Sequence, residues 1–342
     1  MTIKTRLNFP DGVKGLAVLF MIQVHLMEVF AKEEILKSDL GSFSLFFGGI
    51  PAAPVFMVIM GYFLAFGAKN SIDMSKRGVK LFMGGILLNI GLNAHLLYNI
   101  YFKDWNVNPW DYIFGVDILP LAGLSLISIA LFQKIAKNKY WAYFALAIAI
   151  SGLSQLFNPQ QFEANYLRYI LAFFVGGTSW SYFPLIPWLA YPLLGYGFKL
   201  MADTVSIKNF DKSIWSKIIF IIIGLLLIIT ASFGIKISTN LTQYYHHNIL
   251  FFLWSTTFTS IWIYILFQLN KLAKNSLFFK YLKFIGKNVT IVYVFQWLII
   301  GNIGTSLYKT QNIWEWSFWF FITVLTSSIL TYLWTKYKAK YF

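Results

Sequence analysis

The stretch FPDGVKGLAVLFMIQVHLMEVF, residues 9–30, is long and apolar enough to cross a bilayer as one helix, yet it contains Asp11, Lys14, His25 and Glu28. Residues three or four apart share one face of an α-helix, and these four positions follow that spacing. Ionisable side chains in a membrane helix usually face a bundle interior or a watery cavity, because exposing them to lipid is costly. The stretch therefore predicts a membrane protein with a polar path through it.

The rest of the chain has the same apolar character. Of its 342 residues, 58% are hydrophobic and 12% are charged. This composition predicts an all-α integral membrane protein with a single domain over residues 1–342, because no polar stretch is long enough for a soluble domain. The sequence has no cysteine, which excludes disulfides, thiolate catalysis and cysteine-ligated metal. No signal-peptide cleavage motif follows the first apolar run, so we expect that run to be a retained helix.

About 20 apolar residues are needed to cross the hydrocarbon core of a bilayer. We predict ten such spans, and these are residues 10–31, 44–68, 78–101, 112–133, 140–157, 182–201, 215–235, 247–270, 287–307 and 316–335. The run YILAFFVGG (169–177) is too short to cross alone, and we interpret it as a re-entrant or interfacial segment.

The basic residues predict the orientation. If both termini are cytoplasmic, 22 of the 28 Lys and Arg residues lie on the cytoplasmic side of these spans. This bias is typical of membrane proteins, and it accounts for the net charge of +15 without a nucleic-acid partner. We expect the protein to lie in a bacterial inner membrane, surrounded by lipids. A homo-oligomer is possible, and the sequence does not predict the oligomeric state.

Other polar residues are expected at the depth of His25, in the outer half of the membrane. Asn89 and Asn93 are four residues apart on the third span, and Asp117 is expected about two turns into the fourth. Together they predict a polar chamber that opens outward, although each could instead hold neighbouring helices together. No H-x-x-x-H or His–carboxylate motif is present, so we expect no metal.

Lys14 and His25 are separated by ten residues, and this pair resembles the R/K-x10-H pattern of acyltransferase-3 membrane proteins. The stretch DGVKGLAVLFMI (11–22) also resembles the D-x-x-R-G-x-A opening of the heparan-α-glucosaminide N-acetyltransferase-like family. Further stretches are similar to that second family in the same order along the chain: PVFMVIMGYFLAFG (54–67), SKRGVKLFMGGILLN (75–89), WDYIFGVDILPLAGLSLI (110–127), YFPLIPWLAYPLLGYG (182–197) and IGKNVTIVYVFQ (285–296).

The resemblance implies transfer of an acetyl group from cytoplasmic acetyl-CoA to a sugar or glycan acceptor on the other side of the membrane. In that comparison His25 matches the histidine, Lys14 the basic residue and Asp11 the acidic residue of the opening motif. Lys14 stands where these families usually carry Arg, so a bidentate fork for phosphate or carboxylate is lost.

Acetyl transfer needs a base close to the nucleophile, and histidine suits this role near neutral pH. We therefore expect His25 to be the general base. Asp117 or Glu28 would orient its ring, and Asn89 or Asn93 would donate to the oxygen that becomes negative.

The phosphates of CoA would pair with basic residues at the cytoplasmic surface. The expected donor-binding residues are Lys14, Asp11, Arg77, Lys80 and Lys287. For Arg77, Lys80 and Lys287, the cytoplasmic bias of basic residues alone is the stronger explanation.

Two other functions compete with the enzyme. In a proton-coupled transporter of a small solute, His25, Asp117 and Glu28 would form a proton relay or a substrate site. In a structural membrane protein, these ionisable groups would have no purpose. Only the enzyme should bind acetyl-CoA and lose turnover when His25 is replaced.

Overall fold

A computed structural model describes residues 8–67, 70–157, 167–205, 213–273 and 275–341. Within these ranges the chain is helical apart from turns, loops and two isolated β-bridges. The first ten helices are α1 (Asn8–Val29), α2 (Glu33–Leu36), α3 (Asp39–Gly49), α4 (Ala53–Phe66), α5 (Ser71–Leu92), α6 (Ala94–Phe102), α7 (Pro109–Ile113), α8 (Ile118–Ala136), α9 (Tyr140–Leu153) and α10 (Leu167–Phe174). They are followed by α11 (Leu185–Trp188), α12 (Ala190–Thr204), α13 (Ile214–Ile229), α14 (Ala231–Ser238), α15 (Leu241–Tyr245), α16 (Ile249–Ala273), α17 (Leu277–Lys287), α18 (Val289–Leu307) and α19 (Ile313–Tyr341).

Six helical segments of the described residues are long and apolar enough to cross a membrane, and the number rises to eight if each of two bent helix pairs is one span. The six segments are Phe9–Val29, Asp39–Phe66, Ile118–Ala136, Ile249–Ala273, Val289–Leu307 and Ile313–Lys338. They confirm the predicted all-α, multi-pass membrane protein. The count of ten spans and the cytoplasmic termini stay predictions.

Two spans that the sequence predicts as continuous are bent. The third, 78–101, consists of α5 and α6, which meet at Asn93 with an angle of 57°. The seventh, 215–235, consists of α13 and α14, with an angle of 59°. At that second bend the Thr230 hydroxyl donates to the Leu226 carbonyl at 2.7 Å. Asparagine and threonine favour such bends, because their side chains compete for main-chain hydrogen bonds.

Three further spans are shorter or broken. The fourth, 112–133, is divided between α7 and α8. The fifth, 140–157, contains α9 with 14 residues and a short 3₁₀ turn. The sixth, 182–201, is divided between α11 and α12, beside Pro187 and Pro192. The run 169–177 overlaps α10, whose eight residues are too few to cross alone, as expected.

One compact unit contains the histidine-bearing helix α1. This unit comprises Met1–Phe56, Leu92–Tyr98 and Thr259–Phe342. Its core joins α1 to α17 and α18, with Val18, Ile22 and Leu26 on one face of α1 and Val292 and Ile300 on α18. These positions recur every four residues, which is the spacing of one helix face.

The contact between α1 and α17 is the most extensive helix pair of the described residues. A Cβ atom at Gly15 would overlap the main-chain carbonyl of Leu282, and one at Gly286 would overlap that of Asp11. The two glycines therefore let the backbones of the two helices touch.

The other end of α1 is tied to the loop between α18 and α19. The main-chain N–H of Lys32 donates to the Gln311 carbonyl at 3.0 Å, and the N–H of Gln311 donates to the Phe30 carbonyl at 2.8 Å. Both ends of α1 are therefore held within this unit.

The second compact unit comprises Met57–Gly91 and Asn99–Phe258. Its largest helix contact joins α9 and α12, where the rings of Tyr143 and Tyr196 stack with 4.6 Å between their centroids. Glycines again allow close packing, because a Cβ atom at Gly61 would overlap the Pro192 carbonyl.

Candidate functional site

His25 is half-buried on α1 and is held by two consecutive residues of α18. Its ring stacks on Trp297, with 4.1 Å between the centroids and 28° between the planes. Its Nδ1 atom lies 3.2 Å from Oε1 of Gln296. An amide oxygen can only accept a hydrogen bond, so Nδ1 carries the proton in this arrangement. The neutral ring then has its lone pair on Nε2, which is the form that a general base requires.

The partner of His25 differs from the one that the sequence suggests. The sequence analysis expected Glu28 or Asp117 to orient the ring, and the structure places the Gln296 amide at Nδ1. Glu28 lies in the last turn of α1, three residues after His25, and is half-buried. A role for Glu28 in the reaction stays a prediction.

Lys14 and Asp11 form an ion pair at the start of α1. The Lys14 Nζ atom lies 2.8 Å from Asp11 Oδ1, and the two side chains are 14% and 6% exposed. Asp11 also suits the positive end of the helix dipole. From Lys14 to His25 the helix rises by roughly 16 Å.

Asn89 holds a loop of the second unit. Its Nδ2 atom donates to the carbonyls of Ile113 at 3.1 Å and Gly115 at 2.8 Å. Both N–H bonds of the amide are used, so Asn89 could serve an oxyanion only by exchanging one of them. Asn93 lies in the first unit, at the bend between α5 and α6. The helix that carries Asn89 ends at Leu92, one residue before Asn93, and the roles of both asparagines stay predictions.

Asp117 is the N-cap of α8. Its Oδ1 atom accepts a hydrogen bond from the Ile118 N–H at 2.7 Å. The expectation that Asp117 lies two turns inside the fourth span is wrong, because α8 begins immediately after it. An N-cap carboxylate satisfies a main-chain donor that the helix leaves open, which explains an acidic residue at this position.

A groove of about 490 Å³ lies on the second unit and carries three lysines. Its lining residues are Ser71, Ile72, Ser75, Lys76, Val79 and Lys80 of α5 and Lys134 of α8. Of the donor-binding residues expected from the sequence, Lys80 lines this groove. Arg77 lies on the same helix but outside the lining, and Lys287 is exposed at the end of α17 in the other unit. Three ammonium groups around one groove suit a polyanionic ligand.

Two of the other three histidines have partners of their own. His95 Nδ1 lies 2.9 Å from the Asn302 carbonyl, to which it donates. His247 Nε2 lies 3.1 Å from the Tyr191 hydroxyl in the second unit. Over the described ranges, no three His, Cys, Asp or Glu side chains are grouped so that they could hold a metal ion.

A comparison with protein families decides the broad class. The acyltransferase-3 family model, described as an acyltransferase domain, matches residues 7–332, which is nearly the whole chain. The chain belongs to the acyltransferase-3 family. No curated protein and no solved structure shows a significant match.

Acyltransferase-3 membership establishes a membrane acyltransferase and confirms the coarser of the two resemblances. The closer resemblance to the heparan-α-glucosaminide N-acetyltransferase-like family stays a prediction. So do the acetyl-CoA donor, the sugar acceptor and the role of His25.

Sequence reasoning missed Gln296, Trp297 and Lys134 in this acyltransferase-3 protein. Gln296 had a visible signal, because it is the one amide in the apolar run IVYVFQWLII (291–300). Its partner His25 is 271 residues away along the chain, so only the fold could pair them. Lys134 is not among the donor-binding residues expected from the sequence, and it lines the groove with Lys80.

Proposed function

We propose that this acyltransferase-3 protein transfers an acetyl group from cytoplasmic acetyl-CoA to a sugar or glycan acceptor on the extracytoplasmic side, with His25 as the general base. The observation that carries the proposal is the held His25 ring, whose Nδ1 faces the Gln296 oxygen and whose Nε2 is left to accept a proton. Membership of an acyltransferase family supports acyl transfer as the reaction in which this base acts.

The chemical step follows from this arrangement. His25 Nε2 takes the proton from an acceptor hydroxyl or amine while the acceptor atom attacks the thioester carbonyl carbon. A C–O or C–N bond forms and the C–S bond breaks. The departing thiolate takes the proton from the imidazolium, so free CoA thiol leaves and His25 is neutral again. The Trp297 ring stacked on His25 would favour the transient cation.

The groove of the second unit, taken by itself, suits a ligand that carries phosphates. Lys76, Lys80 and Lys134 line it and their side chains reach solvent. Ammonium groups bind phosphate through charge-assisted hydrogen bonds, and a weakly enclosed site of this kind is sensitive to salt. The predicted cytoplasmic location of these lysines agrees with a cytoplasmic donor.

The acceptor class is supported by the resemblance of five ordered stretches to a family that acetylates a sugar amine. His25 is also expected in the outer half of the membrane, which favours an extracytoplasmic acceptor. Replacement of the acceptor by water would give slow hydrolysis of acetyl-CoA, so activity can be measured before the sugar is known.

Binding of acetyl-CoA to the purified full-length protein in detergent tests the donor. We compare the wild type with the double variant Lys76→Gln/Lys80→Gln and with the control Lys336→Gln/Lys338→Gln, whose lysines are exposed on α19. We expect the groove variant to bind about tenfold more weakly or worse, because charge-assisted contacts are lost. The control should bind like the wild type.

Acetyl-pantetheine, which has the thioester but lacks the nucleotide phosphates, tests whether the phosphates are what the groove binds. It should bind weakly, and to a similar extent in all three proteins. If the wild type does not bind acetyl-CoA at low salt, the donor assignment is overturned. If both double variants lose affinity equally, net charge explains the effect and the groove has no part in it.

A further inference from the structure

Gln296 is a polar side chain in an apolar contact. It is 1% exposed, and the residues one turn away on either side, Val292 and Ile300, belong to the core shared with α1. An amide buried in such a contact is unfavourable unless it forms hydrogen bonds. The position therefore calls for a specific polar partner, and that partner is His25.

The two contacts from α18 define the orientation of the His25 ring. Stacking on Trp297 sets the plane of the ring, and the 3.2 Å contact from Nδ1 to Gln296 Oε1 sets its rotation within that plane. Trp297 and Gln296 are consecutive residues, so one turn of helix supplies both. A ring held in this way presents the same nitrogen to a substrate in each molecule.

Gln23, two residues before His25, shows how a structural glutamine differs. Its Nε2 donates to the carbonyls of Phe20 and Ser44, and its Oε1 accepts from the Ser44 hydroxyl. All its donors and acceptors serve packing. In Gln296, the buried Nε2 atom has no hydrogen-bond partner among the described residues. The two glutamines therefore differ, because Gln23 uses both its donors and its acceptor in packing, whereas the partner of Gln296 is His25.

We propose that Gln296 is a positioning residue that holds His25 in the Nδ1–H tautomer and so keeps Nε2 free to accept a proton. This inference rests on the proposed role of His25 as the base. Without the Gln296 oxygen, the ring is free to adopt the Nε2–H form, which cannot take a proton from the acceptor at Nε2. Gln296 itself exchanges no proton with the substrate.

The tautomer can be observed directly, whether or not the protein turns over. The chain has four histidines, so ¹⁵N-histidine labelling gives few imidazole signals, and the spectrum of His25→Asn assigns those of His25. In neutral wild type, we expect a protonated Nδ1 and an unprotonated Nε2. Gln296→Leu should populate the Nε2–H form, whereas Gln296→Glu, which keeps an acceptor, should retain Nδ1–H. Val292→Ala, one turn away on the same face, controls for lost packing and should match the wild type.

An Nε2–H form in the wild type would overturn the inference, as would an unchanged tautomer in Gln296→Leu. If Gln296→Leu does not fold, Gln296→Met, which has a similar chain length, replaces it. The wild-type spectrum alone still shows which tautomer His25 adopts. Release of CoA thiol from acetyl-CoA provides the functional reading. We expect Gln296→Leu to lower kcat about tenfold with KM for acetyl-CoA unchanged, and Gln296→Glu to restore most of the rate.

The tautomer spectra and the thiol-release rates can each overturn one proposal without affecting the other. If the wild type releases no thiol, the proposed function is overturned and the spectra still decide what Gln296 does. If the wild type releases thiol and Gln296→Leu is as fast, the positioning role is overturned and the proposed function is unaffected.

Discussion

Gly15→Ala should weaken the contact between α1 and α17, whereas Gly12→Ala, one turn earlier on the same helix, should not. A Cβ atom at position 15 would overlap the Leu282 carbonyl oxygen and lie 2.7 Å from its carbon and 2.9 Å from its Cα. These are main-chain atoms, so no side-chain rotation relieves the overlap. At position 12 the nearest atom of another helix is Lys283 Cγ at 3.9 Å, an ordinary contact.

The size of the effect follows from these distances. The two helices must separate by more than the 0.7 Å that restores the carbon contact from 2.7 Å to the ordinary 3.4 Å, because the Leu282 carbonyl oxygen lies closer still. Overpacking of this kind costs about 1–3 kcal/mol. Replacing Gly by Ala inside a helix contributes about 1 kcal/mol in the opposite direction at both positions. The two variants should therefore differ in stability by about 1–3 kcal/mol, with Gly15→Ala the less stable.

The assay is thermal unfolding in detergent, followed by tryptophan fluorescence at one fixed scan rate, because membrane proteins of this size often unfold irreversibly. The chain has 13 tryptophans, which provide the signal. We expect the apparent Tm of Gly12→Ala to equal or exceed that of the wild type and the Tm of Gly15→Ala to be several degrees lower. If Gly15→Ala melts at or above Gly12→Ala, the close approach of α1 and α17 is refuted.

Three further predictions concern residues outside that contact. Asp117→Ala should lower the stability of the protein by about 1 kcal/mol through loss of the N-cap, and Asp117→Ser should recover most of it in the same melting assay. Asn89→Leu removes two hydrogen bonds to loop carbonyls and should lower the apparent Tm more than Asp117→Ala; an equal or smaller loss contradicts the loop contacts. The ammonium of Lys309 holds the pKa of Glu33 below its ordinary value, so Lys309→Met should raise that pKa in a carboxyl ¹³C titration, and an unchanged titration contradicts the pair. Since the folded pKa is depressed, the contribution of this pair to stability is present above the unfolded pKa and is lost as the pH falls through the folded value.

The sequence predicts the spanning helices best where an apolar run is long and uninterrupted. The first span, 10–31, corresponds to α1, and the ninth, 287–307, corresponds to α18. Bends are harder to predict, because a single Asn93 or Thr230 within an apolar run does not say whether its side chain competes for main-chain hydrogen bonds. The helix α17 was missed because lysines recur every three or four residues among its apolar side chains, which is typical of an amphipathic helix that lies against others rather than across a membrane.

In the candidate site, too, some features could be predicted from the sequence and others depend on the fold. The stripe of Asp11, Lys14 and His25 follows from helical spacing, and the structure adds the ion pair between the first two. The partner of His25 could not be predicted, since a lone Gln296 in an apolar span has many candidate partners and the carboxylates are chemically the better ones. Asp117 was a reasonable candidate by residue type, but its place at the start of α8 depends on where the preceding loop ends.

The central claim is that His25 is the base of an acyl transfer from acetyl-CoA. The most direct test is the rate of CoA thiol release from acetyl-CoA by the wild type, His25→Ala and His95→Asn. The last variant is the histidine control, because the Asn amide nitrogen takes the place of Nδ1, which donates to the Asn302 carbonyl. We predict that His25→Ala binds acetyl-CoA like the wild type and releases thiol about 100-fold more slowly or worse, while His95→Asn keeps its activity. Thiol release by His25→Ala at the wild-type rate would contradict the claim.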